Sequence, residues 1–238
     1  MNLNDFLTTK PRPLPVFVLA DVSGSMRGTK IESLNAALRE MVGAFRDLDT
    51  VRGEIQVGII TFGGTVQVCS ILTPAAELSV PRLEASGSTP MGQALLMLTR
   101  FLEDENAVPT RAYTPTLVLV SDGLPTDLPE ALADAAEKGE IRTEDYVEWA
   151  PLKTLRESKR GSKCSRLAIG IGDDADFGML RAFVNTPGVP VIRADGARGI
   201  HRFFKWVTWS VTTRSVSRDP DQIIIAPIDD FDKSELIM

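Results

Sequence analysis

The sequence is short of the residues from which most active sites are built. It has one histidine and two cysteines among 238 residues. His201 lies far in sequence from any nucleophile and reads as a partly buried or capping side chain. Cys69 and Cys164 each sit in an apolar, strand-like run, which suits buried free thiols and argues against a disulfide framework. There is no Gly-x-Ser-x-Gly elbow to present a nucleophilic serine and no Walker A loop to cradle phosphates. Gly170-Ile171-Gly172-Asp173-Asp174-Ala175 fits Gly-x-Gly-x-x-Ala after a strand. Asp173 and Asp174 would repel a pyrophosphate, so it reads as a strand-ending loop. The net charge is −6 and no basic block occurs, which argues against nucleic acid as the main partner. No apolar run reaches the roughly 20 residues that cross a bilayer, so no membrane partner is expected. Met1 to Lys10 lacks the basic start and long apolar core of a signal peptide. The expected location is therefore cytoplasmic.

What the chain does have is a regular alternation of strand-like and helix-like stretches. Residues 1–13 read as an N-terminal arm ended by Pro11 and Pro13. Strands are expected near Pro15–Asp21, Glu54–Phe62, Thr116–Ser121, Ser165–Gly172 and Val189–Ala194, mostly as continuous apolar runs. Thr65–Leu72 follows the Gly63-Gly64 turn and alternates like an antiparallel edge strand. Helices are expected over Thr29–Asp47, Met91–Leu102, Leu128–Lys138, Glu144–Ser158, Ala175–Asn185 and Arg198 to about Val211. The first has Ile31, Leu34, Ala37, Leu38, Met41, Val42 and Phe45 at helical spacing. This pattern implies an α/β fold: a doubly wound, mostly parallel sheet with one antiparallel edge strand and helices on both faces. The charged segment 136–163 reads as a solvated excursion. On the last helix, Phe203 and Trp206 read as core, and Trp209 as available to a partner. Residues 217–238 read as an acidic tail, with one strand-like run at Ile223–Ile225.

Three pieces carry candidate chemistry. Asp21, Ser23 and Ser25 follow the first apolar strand and alternate, so an extended backbone would point all three the same way. Thr89 lies in Ser86-Gly87-Ser88-Thr89-Pro90, just before a helix, where it serves equally well as an N-cap. Asp122 ends the buried strand Thr116–Ser121. Asp21 and Asp122 both end parallel strands, so they share the rim where ligands bind in such sheets. Hard oxygen donors of this kind suit a divalent cation, Mg2+ first, with Mn2+ or Ca2+ as alternatives. The site shows no general base, so no enzymatic activity is expected.

Asp-x-Ser-x-Ser, a distant Thr in a Gly-Ser-Thr-Pro loop and a distant Ser-Asp-Gly together resemble the metal-ion-dependent adhesion site of von Willebrand factor A (vWA) domains. The matching residues are Asp21, Ser23, Ser25, Thr89 and Asp122. The resemblance covers roughly residues 14–212 and implies a vWA domain over 14–216. It also implies a metal-dependent protein-binding module, in which an Asp or Glu of a partner completes the metal shell. Within the family, the chain is most similar to the cytoplasmic TerY-like proteins of tellurium-resistance and stress operons. The residues behind this are Lys30-Ile31-Glu32-Ser33-Leu34-Asn35, Ser121-Asp122-Gly123-Leu124-Pro125-Thr126-Asp127 and Phe203-Phe204-Lys205-Trp206-Val207. That likeness implies a protein phosphatase and a protein kinase as partners in stress response or phosphorylation control. The alternative is a structural or sensor subunit of an anti-phage or metal-stress complex without phosphosignalling, and a metal-dependent hydrolase stands third. Some relatives carry a C-terminal zinc-binding extension; no Cys/His cluster is present here. A further expectation is that Asp229, Asp230 or Asp232 of the acidic tail reaches a metal site.

Overall fold

Every residue of strand β1 (Arg12–Asp21) after Arg12 is buried. A strand covered on both faces needs apolar side chains on both, and β1 supplies them. Leu14, Val16, Val18 and Ala20 join one core layer, and Phe17 and Leu19 join the other. The structure is a computed structural model that describes residues 11–48, 53–184, 186–225, 227 and 235–237.

The other strands are β2 (Gly53–Gly63), β3 (Thr65–Pro74), β4 (Thr116–Ser121), β5 (Ser165–Ile171), β6 (Val191–Ala194) and β7 (Leu236–Ile237). They form one sheet in the order β3-β2-β1-β4-β5-β6-β7. β1 lies parallel to β2 and β4, and β4, β5 and β6 continue in parallel. β3 is the expected antiparallel edge strand. The opposite edge carries a second antiparallel strand, the two-residue β7.

Helix α1 (Thr29–Arg46) and helix α7 (Ala197–Val216) cover one face. Phe203, Phe204 and Trp206 of α7 are buried there, and Trp209 is 51% exposed. Complete burial of such side chains is worth about 2–3 kcal/mol each. Helices α2 (Met91–Glu103), α4 (Thr143–Val147), α5 (Ala150–Glu157) and α6 (Phe177–Val184) cover the other face, and α3 (Glu130–Glu137) lies between α2 and α4 in the chain.

Several boundaries differ from the sequence reading. The expected single helix 144–158 is two helices, α4 and α5. Pro151 lies in the first turn of the second one, where its missing N–H costs no helical bond, and the chain is extended at Trp149 between the two. Segment 136–163 is a solvated excursion only in its first part, where residues 137–140 are exposed; Tyr146, Trp149, Leu152 and Leu155 are buried in the second core layer. Ile223–Ile225 forms no strand; Ile225 packs against the first core layer, and Leu236–Ile237 takes the edge of β6 instead. The sheet thus includes Arg12 and Pro13 of the expected arm and two residues of the expected tail. Cys164 is buried, whereas Cys69, on the edge strand, is only half-buried; both are free thiols. Asp229, Asp230 and Asp232 lie outside the described residues. No helix among the described residues is long and apolar enough to cross a membrane.

Candidate metal centre

β1 and β4 are neighbours in parallel register, with Ala20 opposite Val120. The chain winds outward in opposite directions from this pair, so their carboxyl ends flank the crevice where α/β sheets bind ligands. Asp21 ends β1, Ser121 ends β4, and Asp122 follows it directly. Asp21 and Asp122 are both fully buried.

Asp21 accepts two hydrogen bonds, from the Ser23 N–H at 2.8 Å and the Ser121 hydroxyl at 2.7 Å. The chain then enters a single 3-10 turn, Gly24–Met26. Ser23 and Ser25 therefore converge through a turn nucleated by the Asp21 carboxylate, and not through the extended alternation expected from the sequence. Their hydroxyl oxygens are 3.0 Å apart. The Ser25 hydroxyl donates to Asp122 Oδ1 at 2.7 Å. One run of polar contacts thus joins Asp21, Ser23, Ser25 and Asp122.

Thr89 comes from a loop fastened to the same rim by backbone hydrogen bonds. Ser86 N–H donates to the Val22 carbonyl at 2.7 Å, and Gly24 N–H to the Gly87 carbonyl at 2.9 Å. Gly64 N–H donates to the Ser88 carbonyl at 2.7 Å. Gly87 has φ +75°, and a Cβ there would lie 2.5 Å from Gly64 Cα. Only glycine lets the two loops approach this closely. Thr89 N–H donates to the Thr126 hydroxyl, and Thr126 N–H to the Thr89 carbonyl, both at 2.9 Å. Thr89 is 6% exposed. Its capping alternative fails: Asp127 caps α2, accepting Gly92 N–H at 3.0 Å and Gln93 N–H at 2.9 Å. The Thr89 hydroxyl is left out of helix capping.

Burial holds the Asp21 carboxyl above the usual carboxylate range. Hydrogen bonds from Ser23 and Ser121 partly offset that, and the nearby Asp122 charge adds to it. Two buried carboxylates at one rim call for positive charge. Lys30, in the first turn of α1, supplies one: its Nζ contacts Asp122 Oδ2 at 2.5 Å. The remaining donors are hydroxyl oxygens, with no nitrogen or sulfur in the set. Such donors suit Mg2+, Mn2+ or Ca2+ better than softer metals. Among the described residues no three His, Cys, Asp or Glu side chains are arranged to hold a metal ion, so this mixed carboxylate–hydroxyl set is the candidate.

The sequence reading quoted Lys30, Ser121, Thr126 and Asp127 only for family likeness and gave them no role. Lys30 carried a signal of its own. An ammonium in a first helical turn faces the positive end of the helix dipole, so some other partner must favour it there. His201 stays outside the site; its Nδ1 lies 3.0 Å from Glu40 Oε2, across α7 and α1.

Residues 16–124 match a family model described as a von Willebrand factor type A domain. The chain is 28% identical over 184 residues to inter-alpha-trypsin inhibitor heavy chain H6 of Homo sapiens. That alignment covers 72% of this chain and 13% of the heavy chain, so the chain spans a small part of this relative's length. Among solved structures, the von Willebrand factor type A protein of Catenulispora acidiphila superposes with TM-score 0.60 at 20% identity, covering 85% of this chain and 43% of that one. Proximal thread matrix protein 1 of the mussel byssus, solved with a zinc-occupied MIDAS motif, gives TM-score 0.57 at 15% identity, covering 83% and 48%. The mostly parallel sheet with helices around it is the vWA α/β fold, and the family match and structural neighbours together support a vWA domain.

Proposed function

We propose, taking the vWA fold as premise, that this chain is a metal-dependent protein-binding module. Asp21, Ser23, Ser25, Thr89 and Asp122 would hold a divalent cation, which offers a coordination position to an Asp or Glu of a partner protein. The observation that carries this reading is the hydrogen-bonded run from Asp21 through Ser23 and Ser25 to Asp122 at the carboxyl rim of β1 and β4. The donors are hard oxygens, and we assign Mg2+, with Mn2+ and Ca2+ as alternatives. The zinc-occupied MIDAS motif of the mussel protein supports a divalent ion at this rim.

In our reading the chain's own residues do most of the arranging. Asp21 and Asp122 supply charge. The Ser23 N–H and Ser121 hydroxyl fix the Asp21 carboxylate, and the Thr126 and Asp127 contacts fix the loop that delivers Thr89. We further assign the module to a cytoplasmic, TerY-like system for tellurium resistance or stress response, with a protein phosphatase and a protein kinase as partners. That assignment rests on the residues quoted for the resemblance. The second reading is a structural or sensor subunit with a metal-independent interface, and half-exposed Trp209 on α7 is the observation behind it.

Affinity capture with wild type and Asp122→Asn, in magnesium or in chelator, tests both. Partners recovered only by wild type in magnesium support the first reading, and a phosphatase or kinase among them supports the TerY-like assignment. Equal recovery under all four conditions overturns the metal bridge and supports the second reading. Turnover by the purified protein alone would instead make it a metal-dependent hydrolase.

A further inference from the structure

We infer that Lys30 makes the site selective for a cation and an acidic group together, by weakening the binding of a divalent cation alone. The inference rests on the metal-binding reading above and assigns a new role to a residue outside the five candidate ligands. Lys30 Nζ lies 2.5 Å from Asp122 Oδ2, while Ser25 holds Oδ1 of the same carboxylate at 2.7 Å. Asp122 is fully buried and the Lys30 side chain is 31% exposed. The ammonium thus closes the solvent side of a buried ligand. Its place in the first turn of α1 gains nothing from the helix dipole. Gly172, which follows β5 at φ +82°, adjoins it: a Cβ there would lie in ordinary van der Waals contact, 3.8 Å from Nζ.

The charges then fix the preference. Asp21 and Asp122 contribute two negative charges and Lys30 one positive. A divalent cation leaves the group with one excess positive charge in a site of low dielectric, which disfavours the cation alone. One carboxylate from outside brings the total to neutral. Without Lys30, the cation alone is balanced and an added carboxylate leaves an excess negative charge. Lys30 therefore couples the two ligands, and by thermodynamic linkage each should tighten the other by the same factor.

The test uses manganese as the metal probe and acetate as the carboxylate probe, with free manganese read by electron paramagnetic resonance. In wild type, saturating acetate should tighten manganese binding about tenfold, within the roughly 5–150-fold span of coupled sites. Lys30→Met should bind manganese alone about tenfold tighter and lose most of the acetate effect, and Lys30→Arg should keep the wild-type pattern. In chelator, Lys30→Met should melt below wild type, because two buried carboxylates lose their counter-charge. Lys30→Gln carries the same comparison if the Met variant does not fold. Manganese and acetate behaviour in the neutral variant equal to wild type overturns the inference, and so does weaker binding of manganese alone. Failure of wild type to bind manganese at all overturns the metal reading itself, before any variant is compared.

Discussion

Asp21→Asn separates the metal requirement from the fold more cleanly than any other substitution at the rim. Asp21 is fully buried and accepts from the Ser23 N–H and the Ser121 hydroxyl. Replacement by alanine would leave both donors without their partner, at about 1–3 kcal/mol each. Asparagine keeps an acceptor for the Ser23 N–H, and the Ser121 hydroxyl can turn to the Gly123 carbonyl, 3.3 Å away. Asparagine also removes a charge that burial disfavours. In chelator, Asp21→Asn should therefore melt at or slightly above the wild-type temperature, and Asp21→Ala clearly below it. Magnesium at a hundred times its dissociation constant stabilises a protein by about 2.7 kcal/mol. For a chain of this size that raises the melting temperature by roughly 5–11 °C. The wild type should show that rise in a magnesium titration followed by differential scanning fluorimetry, and Asp21→Asn should not. A magnesium shift of equal size in Asp21→Asn would refute the reasoning.

Other consequences follow from contacts further from the rim. Gly87→Ala should cost a few kcal/mol, about 1–2 from the left-handed backbone alone, because its Cβ would sit 2.5 Å from Gly64 Cα; thermal melting reads the loss, and magnesium affinity should fall with it. Asp127→Ala removes the cap from two helix N–H groups, which should cost about 1 kcal/mol and weaken magnesium binding through Thr89, as read by calorimetry. Burial pushes the Cys164 thiol up to about 12, so a thiol reagent at pH 8 should label Cys69 quickly and Cys164 only on unfolding. Because the folded protein keeps that thiol neutral, its contribution is present below about pH 9 and is lost as the pH rises towards 12. At about 1.4 kcal/mol per pH unit, roughly 4 kcal/mol is lost. Cys164→Ala should flatten the alkaline limb of the stability profile.

The central parallel strands β1, β4 and β5 were legible in the sequence because both of their faces are buried. Val16–Ala20 and Leu117–Val120 are continuous apolar runs, and their ends mark the rim directly. Ser23, Ser25 and Asp122 meet through side chains at that rim, Asp21 joins them through the Ser23 N–H, and Thr89 reaches it by backbone contacts. What was not legible depended on contacts between distant segments. Nothing local to Asp127 says that it caps a helix 35 residues earlier. Nothing local to Leu236–Ile237 says that it, and not Ile223–Ile225, completes the sheet edge. The second part of segment 136–163 was misjudged because the segment's charged residues outnumber its four buried apolar side chains; a helix needs only one apolar stripe to cover a sheet.

The direction of the hydrogen bonds bears on how readily the proposed centre would take up a cation. A serine hydroxyl that gives its proton away keeps its lone pairs free. Ser25 donates to Asp122 Oδ1, so its oxygen is already set as an acceptor. The Ser23 oxygen lies 3.0 Å from it and can donate in turn. The same carboxylate is engaged by Ser25 on one oxygen and by Lys30 on the other. A cation approaching Asp122 therefore meets a preset hydroxyl on one side and a competing ammonium on the other. Hydroxyl ligands are neutral, and lowering the ligand charge count weakens the hold on the ion. Two carboxylates, three hydroxyls and one lysine thus favour an ion that still demands negative charge. Under the proposed function, in which the metal meets an acidic side chain of a partner, that residual demand would be more useful than tight metal binding.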